Sequence, residues 1–253
     1  MFSTGSADGH DGEVAMHKLL KVPGRYHDPS APGLPRSLGM RVVQSPLVAV
    51  GTLDTSGQPW TTLWGGNRGF ASVIAEGAIG MASAVDLAHD PVAEAFWSGS
   101  SESTVQPNGG RGEMMSALAI DLETRDRVKL MGLMVACSKG VDEKVQMAMV
   151  VQQSLGNCPK YLNKKRVVEH SLAPVLVSES LPLCAEAVDL LYTADLFFMS
   201  STSGDSMDTN IRGGQPGLLR ILRNDETGVE LIYPECKFVS ESRLLGFVLT
   251  MEL

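Results

Sequence analysis

The chain has 253 residues, 43% of them hydrophobic and 20% charged, which is enough apolar material for a packed core and argues against wholesale disorder. Asp and Glu total 29 against 21 Lys and Arg, a formal charge of −8, so no overall field draws nucleic acid or an anionic membrane, although a local basic patch can still hold a phosphate. No apolar run approaches the ~18–20 residues of a bilayer span, and the opening MFSTGSADGHDGE lacks the basic start and apolar stretch of a secretory signal. A soluble, cytoplasmic protein with no nucleic-acid and no membrane partner is expected.

Residues 1–40 are rich in Gly, Pro, Asp and His and read as an arm laid over the surface, with one short helix over Glu13 to Lys21. From Leu47 the pattern turns to strands. LVAVGTL, the turn cluster DTSG and QPWTTLW predict a hairpin, with Trp60, Thr62 and Trp64 on one face and Thr61 and Leu63 on the other. AIGMASA predicts a further strand. HDPVAEAFWSG predicts a helix from Pro91 to about Ser98, capped by Asp90. MMSALAIDLETRDRVKLMGLMVAC reads as two strands around a charged turn, and in VQMAMVVQQS the alternation of Val145, Met147, Met149 and Val151 predicts a strand with methionine as core filler. Leu183 to Ala194 has helical spacing with Ser180 as cap, and LFFMSST, GLLRIL and VELIY supply three more strands. The sum is mainly β (α+β), a barrel with helical decoration rather than a βαβ sheet.

The cysteines at 137, 158, 184 and 236 and the five histidines are scattered, with no close pair to hold a metal, so free thiols in a reducing compartment and no metal site are expected. Three glycine clusters, at 65–69, 108–112 and 212–217, match no nucleotide-binding fingerprint and read as turns. In an extended TRDRVKL, Arg125, Arg127 and Lys129 project from one face while Asp126 points to the other. Three like charges repel and welcome an anion; the plainer alternative is a solvated hairpin edge that discourages strand pairing. SLGNCPKYLNKKR gathers Asn157, Cys158, Lys160 and Tyr161 where a strand ends. It offers an anion site at a helix start, a thiol of lowered pKa, or a simple cap.

Together GTLDTSGQPWTT, AIDLETRDRVKLMG, SLGNCPKYL and ADLFFMSST with TNIRGGQPGLLRIL resemble the FMN-binding split-barrel proteins related to pyridoxamine 5'-phosphate oxidase, in particular the predicted flavin-nucleotide-binding branch and its fungal members. The resemblance spans roughly residues 12–235. It implies a six-stranded antiparallel split barrel with peripheral helices over 41–235, a homodimer, and FMN in a groove at the subunit interface. It implies phosphate binding by Arg125, Arg127 and Lys129. Asn157, Lys160 and Tyr161 would line the flavin pocket, Thr61 and Thr62 would bond the ribityl chain or ring edge, and Arg212 and Gly213 would lie near the same groove. The implied activity is that of an FMN-dependent oxidoreductase or redox module fed by NAD(P)H or a reductase. The alternatives are a flavin, haem or deazaflavin binder without turnover, and a truncated module of a larger flavin reductase. Catalytic residues are not identified. Ile211 stands where relatives often carry His before the RGG. Residues 236–253 depart from the family and are read as an atypical tail, a translated intron, because Cys236–Lys237 can be encoded by TGTAAG.

Overall fold

The computed structural model describes residues 11–21, 29–140, 144–157, 162–168, 177–178, 180–213, 219–233, 236–239 and 246–248. Helix α1 (Asp11–Leu20) comes first, then a two-residue strand β1 (Ala31–Pro32) and α2 (Arg36–Gln44). Strands β2 (Leu47–Leu53) and β3 (Pro59–Gly65) form one hairpin, β4 (Ala71–Ala75) and β5 (Ala78–Ala84) the next. Helix α3 (Pro91–Trp97), strand β6 (Thr104–Val105) and the single turn α4 (Pro107–Gly110) lead into β7 (Glu113–Asp121), β8 (Asp126–Lys139) and β9 (Lys144–Asn157). The remainder is α5 (Ala185–Thr193), β10 (Leu196–Ser203), β11 (Ser206–Gly213), β12 (Arg220–Asp225), β13 (Gly228–Tyr233), β14 (Cys236–Val239) and β15 (Gly246–Val248).

The first hairpin forms where the sequence predicts it, because the Asp54 carboxylate organises its turn. Asp54 Oδ1 accepts from Ser56 N at 2.8 Å and Gln58 N at 2.9 Å, and Oδ2 accepts from Trp60 Nε1 at 2.9 Å. Such carboxylate-to-backbone bonds are what make Asp a turn residue. Register then runs from Leu47 opposite Gly65 to Leu53 opposite Pro59.

The six strands implied by the resemblance are not what the main sheet holds. Among the described residues it has nine, all paired antiparallel: β3-β2-β7-β8-β9-β5-β4 in order, with β1 on β9 and β6 on β8. The additions have a physical reason. β8 and β9 are 14 residues long and outrun their neighbours, and the two-residue strands take up the backbone groups left bare. β1 covers Gln153 and Ser154, beyond the end of β5, and β6 covers Cys137 and Ser138, beyond β7. Unpaired edges are the liability that such short strands remove. The sheet curls until β3 meets β5 across a seam bridged by a side chain: Ser83 Oγ donates to Gly65 O at 2.7 Å and accepts from Gly65 N at 3.3 Å.

The interior of this curled sheet is apolar, with Val48, Val50, Trp64, Met115, Val128, Leu130, Met147 and Met149 buried together and Phe96 of α3 closing against Trp64. The methionines predicted as filler are therefore core. A second sheet, β11-β10-β15, lies over the outer face of β2 and β7, packing Phe198 and Ile211 on Ala49, Leu118 and Ile120. A third, β12-β13-β14, and α5 complete the stack through Leu191, Phe197, Met199, Leu219 and Val229. Backbone from 236–239 and 246–248 pairs with β13 and β10. Among the described residues no helix is long and apolar enough to cross a membrane.

Candidate functional site

The predicted alternation along β3 is observed, and it separates the two threonines. Thr62 faces the barrel interior, where its hydroxyl donates to Asp90 Oδ2 at 2.7 Å beside Trp64 Nε1 at 3.0 Å. Asp90 Oδ1 meanwhile accepts from Val92 N and Ala93 N, so the cap of α3 is also the polar centre of the barrel mouth. Thr61 faces outward into the sheet–sheet interface. There it donates to Ser200 Oγ at 2.6 Å, Ser200 meets Thr209 at 2.8 Å, and Thr209 meets Ser116 at 2.6 Å, four buried hydroxyls in one chain. Gly51 lets them close, since a Cβ there would stand 2.2 Å from Ser200 Oγ. Neither threonine hydroxyl is presented to a groove, which separates both from the cofactor contact the resemblance implies.

The basic strand is different. β7 and β8 are joined by a loop whose turn is held by Asp121: Oδ1 accepts from Glu123 N at 2.9 Å and Thr124 N at 3.2 Å, and Asp121 O accepts from Arg125 N at 2.7 Å. The strand begins at Asp126, so Arg125 is a turn residue rather than an extended one, with φ of 67°. That left-handed geometry costs a residue with a Cβ about 1 kcal/mol, and Gly or Asn usually fills it. Arg125 Nη1 makes a long 3.5 Å contact to Leu162 O, and its Nε is buried with no hydrogen-bond partner among the described residues. Asp126 points away as predicted, gripped by Arg41 of α2, whose Nε lies 2.9 Å from Oδ2.

Arg127 and Lys129 do share the outer face. They stand opposite Ile120 and Leu118 in the register, both of the outer apolar cluster. Arg127 is buried. Lys129 Nζ already has a carboxylate, Asp208 Oδ2 of β11, at 2.6 Å. The anion that repulsion among the cations invites is thus partly supplied by the protein. Arg125, Arg127 and Lys129 consequently lie along one margin, where the outer face of β8 meets the edge of the second sheet.

β11 sorts the remaining candidates. Met207, Thr209, Ile211 and Gly213 are buried, alternating with the half-buried Asp208, Asn210 and Arg212. Gly213 packs close to the margin, where a Cβ would meet Leu162 Cδ2 at 2.9 Å. Arg212 stands opposite Phe197, on the face turned toward α5, with its Nη1 on Ile211 O at 3.0 Å. Ile211 is 1% exposed and fills the apolar interface. The backbone of Asn157 pairs with Arg127, bringing the end of β9 beside the cluster; the Asn157 side chain, Cys158, Lys160 and Tyr161 lie outside the described residues. The predicted helix cap Ser180 is replaced by Cys184, which makes no side-chain cap bond.

Asp208 carries no local signal of its role, since its partner Lys129 is 79 positions away, although the period-two alternation of Met207, Thr209 and Ile211 marks the strand that presents it. Thiol chemistry has no support at Cys137, since burial pushes its pKa up to about 12 against weaker pulls from the Ser138 backbone and Lys139.

The margin has the chemistry of a phosphate site. Among the described residues it sets Arg125, Arg127 and Lys129 beside the Asp208 carboxylate, with the buried Nε of Arg125 taking no hydrogen-bond partner there. A phosphomonoester brings about −1.5 to −2 charges at pH 7 and three acceptor oxygens, so the residues present fit the phosphate end of FMN.

No protein-family model and no curated protein matches the chain. Its structure is similar to that of a candidate pyridoxamine 5'-phosphate oxidase from Lactobacillus delbrueckii, at 12% identity and TM-score 0.33, over 49% of this chain and 94% of that one. HupZ of group A Streptococcus has 12% identity and TM-score 0.34 over the same shares. An FAD and haem binding protein from Mycobacterium smegmatis has 10% identity and TM-score 0.31, over 56% of this chain and 77% of that one. At this distance no residue role carries across.

Proposed function

We propose that this chain binds a flavin nucleotide, FMN, with the phosphate at Arg125, Arg127 and Lys129, and works as an oxidoreductase or redox module on an unidentified substrate. The observation that carries the reading is Arg125: a long cation kept in left-handed backbone geometry, beside two further cations, with a buried nitrogen that no described residue uses. A residue that breaks a local rule without a structural return marks a functional position. In the same proposal Asn157, Lys160 and Tyr161 extend the pocket from the end of β9, and Gly213 keeps its wall close. Thr61, Thr62 and Arg212 are left out, because the protein itself occupies or redirects them.

When bound, a flavin supplies hydride or electron transfer. The residues of this chain would hold its charged end, orient the ring and exclude water. A second copy would complete the site. The outer faces of β4 and β9 carry Ile74 and Val150, exposed by 58% and 40%, and Ile74 borders a shallow concavity of about 510 Å³ with Gly80, Ala82 and Ala148, a surface suited to burial in a homodimer. The second reading, a flavin binder without turnover, is favoured by Ile211, which can exchange no proton and is sealed between sheets. The test is a visible absorption spectrum of the purified protein, followed by chromatography of the compound that heat releases. FMN at one equivalent supports the proposal, and a colourless protein that also fails to take up added FMN contradicts it. Bleaching by NADH or NADPH then separates the enzyme from the carrier.

A further inference from the structure

Resting on that flavin-nucleotide reading, we infer that Asp208 is a built-in counter-anion of the phosphate site and sets how far the site prefers a phosphorylated ligand over its dephosphorylated form. Asp208 sits on the edge strand of the second sheet, on the face away from the barrel, and reaches round that edge to Lys129 at 2.6 Å. The Lys129 side chain is 12% exposed and that of Asp208 38%, so the pair lies at the mouth of the margin with the carboxylate on the solvent side. Asn210 Nδ2 stands 3.4 Å from the same oxygen, Oδ2. Oδ1 takes no hydrogen bond from a described residue. β8 and β11 share no backbone pairing, so this ion pair is a side-chain link between two sheets.

A phosphate arriving at Arg125 and Arg127 finds Lys129, one strand repeat (about 7 Å) beyond Arg127, already neutralised. It must either displace the carboxylate or settle beside it as a like charge. Both oppose binding, and both act on the charged end of the ligand alone. Riboflavin shares every other part of FMN and escapes the effect. Asp208 therefore holds FMN affinity below what three cations would give, which keeps the cofactor exchangeable. A mere latch between sheets would act on both ligands alike, through stability.

The test titrates FMN and riboflavin in parallel into the full chain, wild type and Asp208→Asn, following quenching of flavin fluorescence; Asp208→Ser is the second variant should the amide disturb folding. FMN should bind about five- to tenfold more tightly to the variant, as expected for removing a like charge at a partly screened site, while riboflavin shifts by less than about twofold, the span of a neutral change at the rim. Unchanged or weaker FMN binding overturns the inference. So does a parallel fall for both ligands, which would make Asp208 a contact of the ribityl chain. If the wild type binds neither flavin, the flavin reading fails and the inference with it. If it binds both and no FMN-selective gain follows, the role of Asp208 alone is refuted.

Discussion

Asp90 and Arg125 are both half-buried charged side chains, and the protein treats them in opposite ways. Asp90 starts α3 and has both oxygens filled, by two backbone amides on one side and by Thr62 and Trp64 on the other. Arg125 ends the β7–β8 loop, sits in a backbone geometry that suits Gly better, and leaves Nε buried and unused. The four hydroxyls between the sheets resemble Asp90: Thr61, Ser200, Thr209 and Ser116 bond one another in sequence. Buried polar groups that the protein satisfies internally hold the fold, whereas a buried donor kept at a conformational cost and left open is where the proposed function puts its ligand.

That contrast can be broken by substitution. The largest effect is expected on the closed side, at Gly51. Gly51→Ala would put a Cβ 2.2 Å from Ser200 Oγ and 2.3 Å from Thr209 Oγ1, forcing the sheets apart at a cost of about 3–5 kcal/mol, read as a fall in urea midpoint. Asp90→Ala removes a helix cap and strands the Thr62 and Trp64 donors, and should lower stability by about 2–4 kcal/mol. A loss below about 1 kcal/mol would show that the barrel mouth does not depend on it. Smaller still is the hairpin carboxylate. Burial pushes the pKa of Asp54 up, but hydrogen bonds from Ser56 and Trp60 and from the backbone of Gln58 and Ser56 outweigh it and hold the carboxyl below the usual aspartate range. A depressed carboxylate stabilises above its unfolded pKa, and that contribution disappears as pH falls through the folded value. Asp54→Asn should therefore cost under about 1 kcal/mol at pH 7, and the difference from wild type should shrink below about pH 4.

Much of the fold could be read from the sequence, because the signals were local. The β-rich run LVAVGTL marks β2, the alternation in QPWTTLW marks β3 with its faces, and Asp90-Pro91 marks the start of α3. What escaped depended on distant partners. β4, with ASVIA half exposed, exists because β5 offers it an edge. β1 and β6 are too short to leave a pattern, and they form only because β8 and β9 overrun their neighbours. The site divides in the same way. The cations of TRDRVKL were visible, but the turn at Arg125 was not, since an extended reading treats all three as equivalent. Asp208 lies 79 positions from Lys129, and nothing local links them.

Arg125 is the residue on which the proposed phosphate site depends most. Arg125→Asn relieves the left-handed strain while removing the guanidinium, so fold and function should part. We expect the melting temperature of the ligand-free protein to stay within a degree or two, or to rise, because Asn tolerates this geometry. FMN affinity, measured by fluorescence quenching on the same preparation, should fall about tenfold or more, the worth of a charge-assisted phosphate contact. FMN binding that survives the substitution undiminished, or a fold that collapses with it, would show that Arg125 serves the loop and not a phosphate.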